Sequence, residues 1–180
     1  MTEDDRPGKG LTNFPDRLII GIGNKAAWLT AVLIVMILVQ VVLRYLFQTS
    51  FVALEEIQWH LYAVIIMLSI SYSFVKDTHI RLDIVHSRLS KPTKQIIEIL
   101  GIILFLWPVA FVFFMHSLEF VSESFRVGER SDAPMGLGYR WAIKSVIPVS
   151  FFLLFLGSLS RLFRAVSYLK KRSGKSSDGR

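Results

Sequence analysis

Few side chains in this 180-residue sequence are of types that carry out chemistry. Cysteine is absent, which excludes a disulfide framework, a thiolate nucleophile and a zinc–thiolate site. Two histidines, His60 and His116, are of the type that ligates a haem iron between helices. The adjacent carboxylates Glu55 and Glu56 fit the first turn of a helix, or an ion pair with Arg44, better than catalysis, because no polar pocket accompanies them. The residues therefore predict a protein that is not an enzyme.

The elements that must position these residues are four long apolar segments, at about 26–47, 57–75, 96–118 and 141–160. A helix of ~20 apolar residues spans the ~30 Å hydrocarbon core of a bilayer. The segments are apolar around their whole circumference, unlike the single stripe of a surface helix. The sequence thus predicts an all-α integral membrane protein with four transmembrane helices and short interfacial helices.

The chain divides into three parts on this reading. A polar stretch, 1–17, is predicted to be a disordered cytoplasmic tail, and 18–168 a four-helix membrane domain in which 18–25 is an interfacial lead-in. Residues 169–180 form a basic cytoplasmic tail. The first span is expected to be a retained signal-anchor, since it is too long for a signal peptide and no cleavage site follows it.

Charge predicts the orientation of the spans. Sixteen of the 21 Lys and Arg residues lie before the first span, in the loop between the second and third spans, or after the fourth span. The positive-inside rule therefore places both termini in the cytoplasm. The net charge of +7 comes from residues that flank apolar spans, which favours anionic lipid as a partner over nucleic acid.

Polar residues near the span ends suggest helix contacts. Gln40 and Arg44 are four residues apart and share a helix face, so Arg44 either reaches the headgroups or contacts another helix or subunit. Ser69 and Ser73 have the spacing of small residues that let helices approach closely in lipid. Glu98 lies one turn after Lys94, which predicts an ion pair within the helix.

Two prolines and a serine mark helix boundaries and bends. Ser90 followed by Pro92 is typical of a helix start, and Pro108 is expected to kink the third span. The segment between the second and third spans alternates Ile80, Leu82 and Ile84 with polar residues, which favours an extended or interfacial conformation.

The most specific stretch is EEIQWHLYAVIIMLSISYSFVKDTHIRLDIV. It resembles the DctQ-like small membrane subunit of tripartite ATP-independent periplasmic (TRAP) transporters. That family has four spans, an acidic residue and a tryptophan opening the second span, and an H-[IV]-R-[VL]-D loop after it. Here the matching residues are Glu55, Glu56, Trp59 and the segment 79–83. The last span, IPVSFFLLFLGSLSRL, with its basic tail, is also similar, and the resemblance covers about 18–168.

The resemblance implies a role in uptake at the bacterial inner membrane. The small subunit would scaffold a large, sodium-coupled elevator subunit, and a periplasmic binding protein would deliver an organic acid. Any sodium would bind to the large subunit, and no cofactor is expected on this chain. We take as candidate contacts to the partner subunits Arg44, Glu55, Glu56, Trp59, Ser69, Ser73, Arg81 and Asp83.

Two alternatives from other classes remain open at this point. A membrane anchor could carry haem between His60 and His116, although both histidines are near water. A small dimeric exporter would need an ionisable group deep in a span. The span cores contain no Asp and no Asn, and Glu98 is shallow, which favours a partner subunit that does not transport by itself.

Overall fold

The computed structural model describes residues 13–76 and 90–177. These ranges contain six α-helices and one π-helical turn: α1 (Asn13–Leu46), α2 (Val52–Lys76), α3 (Lys91–Gly101), the π turn (Ile102–Leu106), α4 (Trp107–Arg126), α5 (Arg140–Lys144) and α6 (Val146–Ser177). The predicted all-helical class is confirmed. The segment 77–89, which includes Arg81, Asp83 and the alternating apolar pattern, lies outside the described residues.

Four helical segments are long and apolar enough to cross a membrane, as predicted: Phe14–Leu46, Val52–Lys76, Pro92–Arg126 and Arg140–Lys171. Successive segments run in opposite directions. We call the end of the bundle that carries the connections 47–51 and 127–139 the loop end, and the opposite end the tail end. The third span is α3, the π turn and α4 in one continuous run, and the fourth is α5 followed by α6.

The tail-end boundaries differ from the sequence expectation. Helix α1 begins at Asn13, so the predicted disordered tail over 1–17 is too long, and 18–25 continues the spanning helix instead of forming a separate interfacial one. The reason is packing, because Asp16 and Ile19 are buried against the rest of the bundle. The one short helix in the described ranges is α5, at the loop end.

Helix α1 packs along a single narrow seam. Four of its buried residues, Ile19, Ala26, Leu33 and Gln40, recur every seven positions, and the other two, Asp16 and Gly23, are also seven apart. Most of the remaining circumference is exposed. A seven-residue repeat is the spacing that keeps one seam in contact with a neighbour in left-handed helix packing. That neighbour is chiefly α2, with which α1 forms an antiparallel hairpin.

Helix α6 is the central element, since it packs against α1, α2, α3 and α4. Hydroxyl groups join it to α2: Ser71 Oγ donates to the carbonyl of Ser150 at 3.0 Å, and Ser150 Oγ donates to the carbonyl of Met67. Ser71 and Ser150 are both buried. The close approach on α2 therefore uses Ser71, whereas Ser69, two residues earlier, is exposed.

The third span begins at Ser90 and Pro92 as predicted, and a π turn precedes Pro108, where the sequence predicts a kink. Ser90 caps α3 by accepting the amide of Thr93 at 3.4 Å, and Pro92 lies in the first turn. Pro108 cannot donate a backbone hydrogen bond. In the π turn just before Pro108, the backbone hydrogen bonds span five residues instead of four. The amide of Trp107 thus donates to the carbonyl of Ile102. Trp107 also donates its indole N–H to Ser158 Oγ at 3.0 Å.

Candidate interaction surfaces

A polar cluster joins α1 and α2 near the loop end. Gln40 Nε2 donates to Glu55 Oε1 at 2.6 Å, and Gln58 Nε2 donates to both Gln40 Oε1 and the carbonyl of Met36. Gln40 is buried. Each amide thus has a partner inside the chain, which meets the need of buried polar groups for hydrogen bonds. Glu55, a predicted subunit contact, is engaged within this cluster.

Glu56 holds the long loop-end connection. Its two carboxylate oxygens accept the hydroxyl of Ser131 and, at 2.5 Å, the amide of Leu137. The side chain therefore reaches from the first turns of α2 to both arms of the connection between α4 and α5. Of the alternatives for Glu55 and Glu56, the ion pair with Arg44 does not form, because both carboxylates have these other partners and Arg44 is exposed. Glu55 does lie in the first turn of α2.

The connection 127–139 begins at a well-defined helix end. Gly128 has φ +59°, and the amides of Gly128 and Glu129 donate to the carbonyls of Phe125 and Ser124 at 3.1 and 3.0 Å. This pair of bonds is the Schellman motif, in which a left-handed glycine stops a helix. Within the loop, the amide of Ser131 donates to the carbonyl of Leu137 at 3.0 Å. The loop is therefore a closed, hydrogen-bonded unit.

A charge pair fixes the same loop to α5. Lys144 Nζ donates to Glu129 Oε2, and Arg140 Nη1 lies 3.9 Å from Glu129 Oε1. The Lys144 ammonium, with help from Arg140, lowers the pKa of Glu129 below its ordinary value of 4.5. The ammonium of Lys144 also lies 3.8 Å from the centre of the Phe120 ring. The charges of Lys144 and Arg140 are thus balanced by Glu129 within the chain, and Lys144 is also covered by the Phe120 ring.

A cleft of about 440 Å³ lies at this loop. It is lined by Phe125, Gly128, Arg130, Gly136, Gly138, Tyr139 and Trp141. Arg130 is exposed and forms no ion pair with any residue of the described ranges, in contrast to Arg126, which is paired with Glu123 at 2.8 Å. The cleft therefore combines one uncompensated guanidinium with aromatic walls.

Two residues of the loop are held in an unusual backbone conformation. Met135 and Tyr139 have φ values of 66° and 60°, in the left-handed region that side chains other than glycine rarely adopt. They are also 91% and 78% exposed. Such strain is of the order of 1–3 kcal/mol per residue and persists only where the surrounding structure fixes it.

A stripe of exposed residues runs along α2. Within this helix only five positions are exposed, namely Trp59, Tyr62, Ile66, Ser69 and Lys76. Successive members of this set are three, four, three and seven residues apart. This is the spacing of a seam that a neighbouring helix covers. We call Trp59, Tyr62, Ile66 and Ser69 the α2 stripe. Of the remaining predicted contacts, Arg44 is exposed and Ser73 is half-buried with an internal partner.

Ion pairs at the tail end differ from the sequence expectation. Glu98 accepts from Arg161 of α6, whose guanidinium also donates to the carbonyl of Phe74 at 2.9 Å and lies 5.3 Å from the Phe74 ring centre. The predicted pair with Lys94 is therefore wrong, because tertiary packing offers Glu98 a better-shielded cation. Asp16 of α1 is likewise paired with Arg164 of α6.

Several of these contacts were missed by sequence reasoning. The sequence places Arg161 and Arg164 among the basic residues that follow the last span and indicates no partner for them, because Glu98 and Asp16 lie 63 and 148 residues away. Acidic residues at the ends of apolar spans were the available signal, since an acid near lipid needs a partner. No feature of the local sequence predicts the hydrogen bond between Glu56 and Ser131.

The geometry does not favour the haem alternative. His60 lies on α2 and His116 on α4, and these helices make no extensive contact with each other within 13–76 and 90–177. His116 Nδ1 is 2.9 Å from the carbonyl of Val112 on its own helix. Two histidines that share one iron must face each other across adjacent helices.

Comparison with protein families gives one match. Residues 33–167 match the family described as tripartite ATP-independent periplasmic transporters, DctQ component. The match covers the last part of the first spanning helix, the whole of the second and third, most of the fourth, and both loop-end connections described above. No curated protein sequence matches the chain significantly.

Proposed function

We propose that this chain, which belongs to the DctQ component family, acts as the fixed scaffold of a TRAP transporter. As a member of that family it is a small, multi-pass membrane subunit that works with a large membrane subunit and a periplasmic binding protein. The large subunit would carry the sodium and substrate sites and move an organic acid across the bacterial inner membrane. Both termini of the small subunit would lie in the cytoplasm, where the basic residues of the tail end attract anionic lipid.

The observation that carries this proposal is the α2 stripe. Helices α1 and α6 flank α2 and bury Ser71, yet they leave Trp59, Tyr62, Ile66 and Ser69 exposed. Ser69 is a small polar residue at mid-helix, where it allows a helix of another chain to approach closely. We therefore assign the stripe, with Arg44 and Trp59 at the loop end, to contact with the large subunit. Arg81 and Asp83 remain proposed contacts at the tail end.

The internal pairing of polar groups supports a role as a partner and not as a carrier. A carrier needs ionisable groups that can bind and release ions. Here Gln40, Glu55 and Gln58 bond to one another, and Glu98 is paired with Arg161. These groups stabilise the bundle, so the ion-coupled chemistry belongs on the large subunit.

Co-purification tests the assignment. We expect Ser69→Trp to reduce the amount of large subunit that co-purifies with the tagged chain at least about fivefold, because a bulky side chain separates the helices that small residues bring together. Val35→Trp is the matched control, since Val35 is also an exposed mid-helix residue, on α1. Equal recovery of the large subunit with both variants would contradict the assignment of the stripe.

A further inference from the structure

The four spanning segments form a row in the order α1, α2, α6 and the third span. Helix α2 packs against α1 and against α6, and α6 packs against α3 and α4. Among the described residues, α1 makes no extensive contact with α3 or α4, so these helices lie at opposite ends of the row. Contacts between neighbours therefore show which residues lie at the same height along the bundle.

Side-chain contacts fix one such height, which we call the Ser150 level. The hydroxyl of Ser150 donates to the carbonyl of Met67 of α2, and its carbonyl accepts Ser71 Oγ at 3.0 Å, so the level passes between those two residues of α2. On α1, Gly23 lies against Tyr72 of α2. Because α1 and α2 are antiparallel, the Ser150 level crosses α1 about one turn after Gly23.

The apolar stretches of the four spans cross this level at different points. The stretches that contain no Asp, Glu, Lys or Arg are 26–43 on α1, 57–75 on α2, 145–160 in the fourth span and 99–118 in the third span. Phe113 of the third span stacks on Phe151, with 5.1 Å between the ring centres, so the Ser150 level crosses α4 near Phe114. The stretch of α1 thus begins at this level, next to Lys25, and extends toward the loop end, whereas most of the stretch in the third span extends toward the tail end.

The displacement increases from one end of the row to the other. On the loop-end side of the Ser150 level, the apolar stretches of α1, α2, α6 and the third span extend for about 17, 12, 5 and 4 residues. On the tail-end side the order is reversed. At a rise of ~1.5 Å per residue, the stretches at the two ends of the row are displaced from each other by about 20 Å.

A bilayer perpendicular to the helices would not fit this arrangement. Lys25, which is exposed, would then lie at the height of the middle of α2 and α6, where a charged side chain is unfavourable. Inclined helices remove the conflict, because all four stretches then lie in one layer. A row of four helices with ~9 Å between neighbouring axes is at most about 27 Å wide, so a displacement of about 20 Å requires an inclination of at least about 35°.

Exposed aromatic side chains mark the same boundaries on α1. Trp28 and Tyr45 are each 77% exposed and lie close to the two ends of its apolar stretch. Trp and Tyr are enriched at both interfaces of a membrane, where their amphipathic rings sit among the headgroups. Trp28 lies close to the Ser150 level, which indicates that an interface passes α1 at a height where α2 and α6 are in mid-span.

We propose that the chain contacts the bilayer along an oblique apolar belt, with its helices inclined by about 35° or more, and that this belt selects phospholipids with short acyl chains. Stretches of 16–20 residues are about 24–30 Å long. At an inclination of about 35° they cover about 20–25 Å of the bilayer normal, which is less than the ~30 Å of a typical hydrocarbon core. A bilayer adapts to such a belt by thinning, at a cost that shorter acyl chains avoid. The inference requires four spanning helices and does not depend on a partner subunit.

Spin labels at single cysteines test the inclination, since the chain has no cysteine of its own. Ala27→Cys and Met115→Cys place labels at exposed positions of α1 and α4 near the Ser150 level. Val35→Cys and Val109→Cys place them at exposed positions in the middle of the apolar stretches of the same two spans. The full-length chain is reconstituted in phosphatidylcholine vesicles, and depth is measured from the relaxation of each label by oxygen and by a water-soluble nickel complex. We expect the labels at 35 and 109 to lie about 8 Å deeper than those at 27 and 115.

Helices along the bilayer normal would give the opposite order. Labels at 27 and 115 that are as deep as those at 35 and 109, or deeper, would overturn the inclination. Polarised infrared spectroscopy of the amide bands measures the mean helix inclination of the unmodified chain in aligned bilayers, so it does not depend on the substitutions. We expect about 35° or more, and a mean of about 20° or less, the average for spanning helices, would also overturn the inclination.

Melting temperatures in bilayers of different thickness test the lipid preference. The unmodified chain is compared in phosphatidylcholines with acyl chains of about 14 and about 22 carbons, and we expect it to melt at least about 5 °C higher in the thinner bilayer. Lys25→Leu is the matched variant: it removes the charged limit of the α1 stretch and is expected to narrow the difference. An equal or higher melting temperature of the unmodified chain in the thicker bilayer would overturn the preference.

Discussion

Arg161 connects three helices through one guanidinium. It pairs with Glu98 of α3, donates to the Phe74 carbonyl of α2 and stacks near the Phe74 ring, and its side chain is only 13% exposed. Burying a charge is unfavourable unless a partner compensates it. The pair therefore fixes α3 against α6 at the tail end.

Removing one member of this pair should destabilise the protein. We expect Glu98→Ala to lower the free energy of unfolding by about 3 kcal/mol, because it leaves a shielded guanidinium without its carboxylate. The double variant Glu98→Ala/Arg161→Met should recover part of the loss. Thermal denaturation of the single and double variants in detergent measures the coupling, and strictly additive effects would show that the two side chains do not interact.

The charge pair at Glu129 predicts a dependence on pH. Lys144 lowers the pKa of Glu129 in the folded protein below its ordinary value of 4.5. A carboxylate with a depressed pKa stabilises the fold above its unfolded pKa, and this contribution is lost as the pH falls through the folded pKa. We therefore expect the wild type to lose more thermal stability than Glu129→Gln between about pH 5 and about pH 3. Parallel melting curves for the two proteins over that range would contradict the pair.

At the scale of elements, two glycines of α1 have opposite surroundings. A Cβ atom at Gly23 would lie 2.2 Å from Cδ2 of Tyr72 on α2, whereas a Cβ atom at Gly21 would meet nothing within 4 Å. Gly23 therefore permits the close contact of α1 with α2, and Gly21 does not contribute to it.

These glycines give a matched pair of substitutions. Gly23→Ala is expected to destabilise the α1–α2 hairpin by about 1–3 kcal/mol, because overpacking forces side chains or helices apart. Gly21→Ala should be neutral or stabilising by up to about 1 kcal/mol, since alanine favours the helix. Melting temperatures of both variants test this. A larger loss at Gly21 than at Gly23 would mean that the helices pack through another face.

The helices could be predicted from the sequence, but the contacts between them could not. Apolar length predicts all four spans, and Ser90 with Pro92 predicts the start of α3. The sequence indicates a kink at Pro108 but does not predict the π turn before it. The partner of Glu98 could not be predicted, because Lys94 is near in sequence while Arg161 becomes near only when α6 packs on α3. The hydrogen bond between Glu56 and Ser131, which are 75 residues apart, could not be predicted for the same reason.

For the whole molecule, the orientation in the membrane is testable with single cysteines. The charge pattern predicts that the loop end faces the periplasm and both tails the cytoplasm. A membrane-impermeant thiol reagent applied to intact spheroplasts should label Met135→Cys and leave Ser173→Cys unlabelled until the membrane is opened. Labelling of Ser173→Cys in intact spheroplasts would contradict the proposed orientation.

The size and packing of the molecule also argue for a partner. Four spanning helices bury few residues among themselves: in the described ranges the buried apolar side chains number eight. The exposed surface includes the α2 stripe, which has the spacing of a helix seam, and the cleft at Arg130. Lipid can cover apolar surface, but a small residue in an exposed seam, such as Ser69, is better suited to contact with another helix.

Uptake into proteoliposomes tests the central claim most directly. The chain alone, the large subunit alone and the two together are reconstituted, and uptake of the organic acid bound by the transporter's binding protein is measured with that protein outside and a sodium gradient directed inward. We predict uptake when both subunits are present and none above background with the small subunit alone. Sodium-driven uptake by the small subunit alone would contradict a scaffold that leaves transport to its partner.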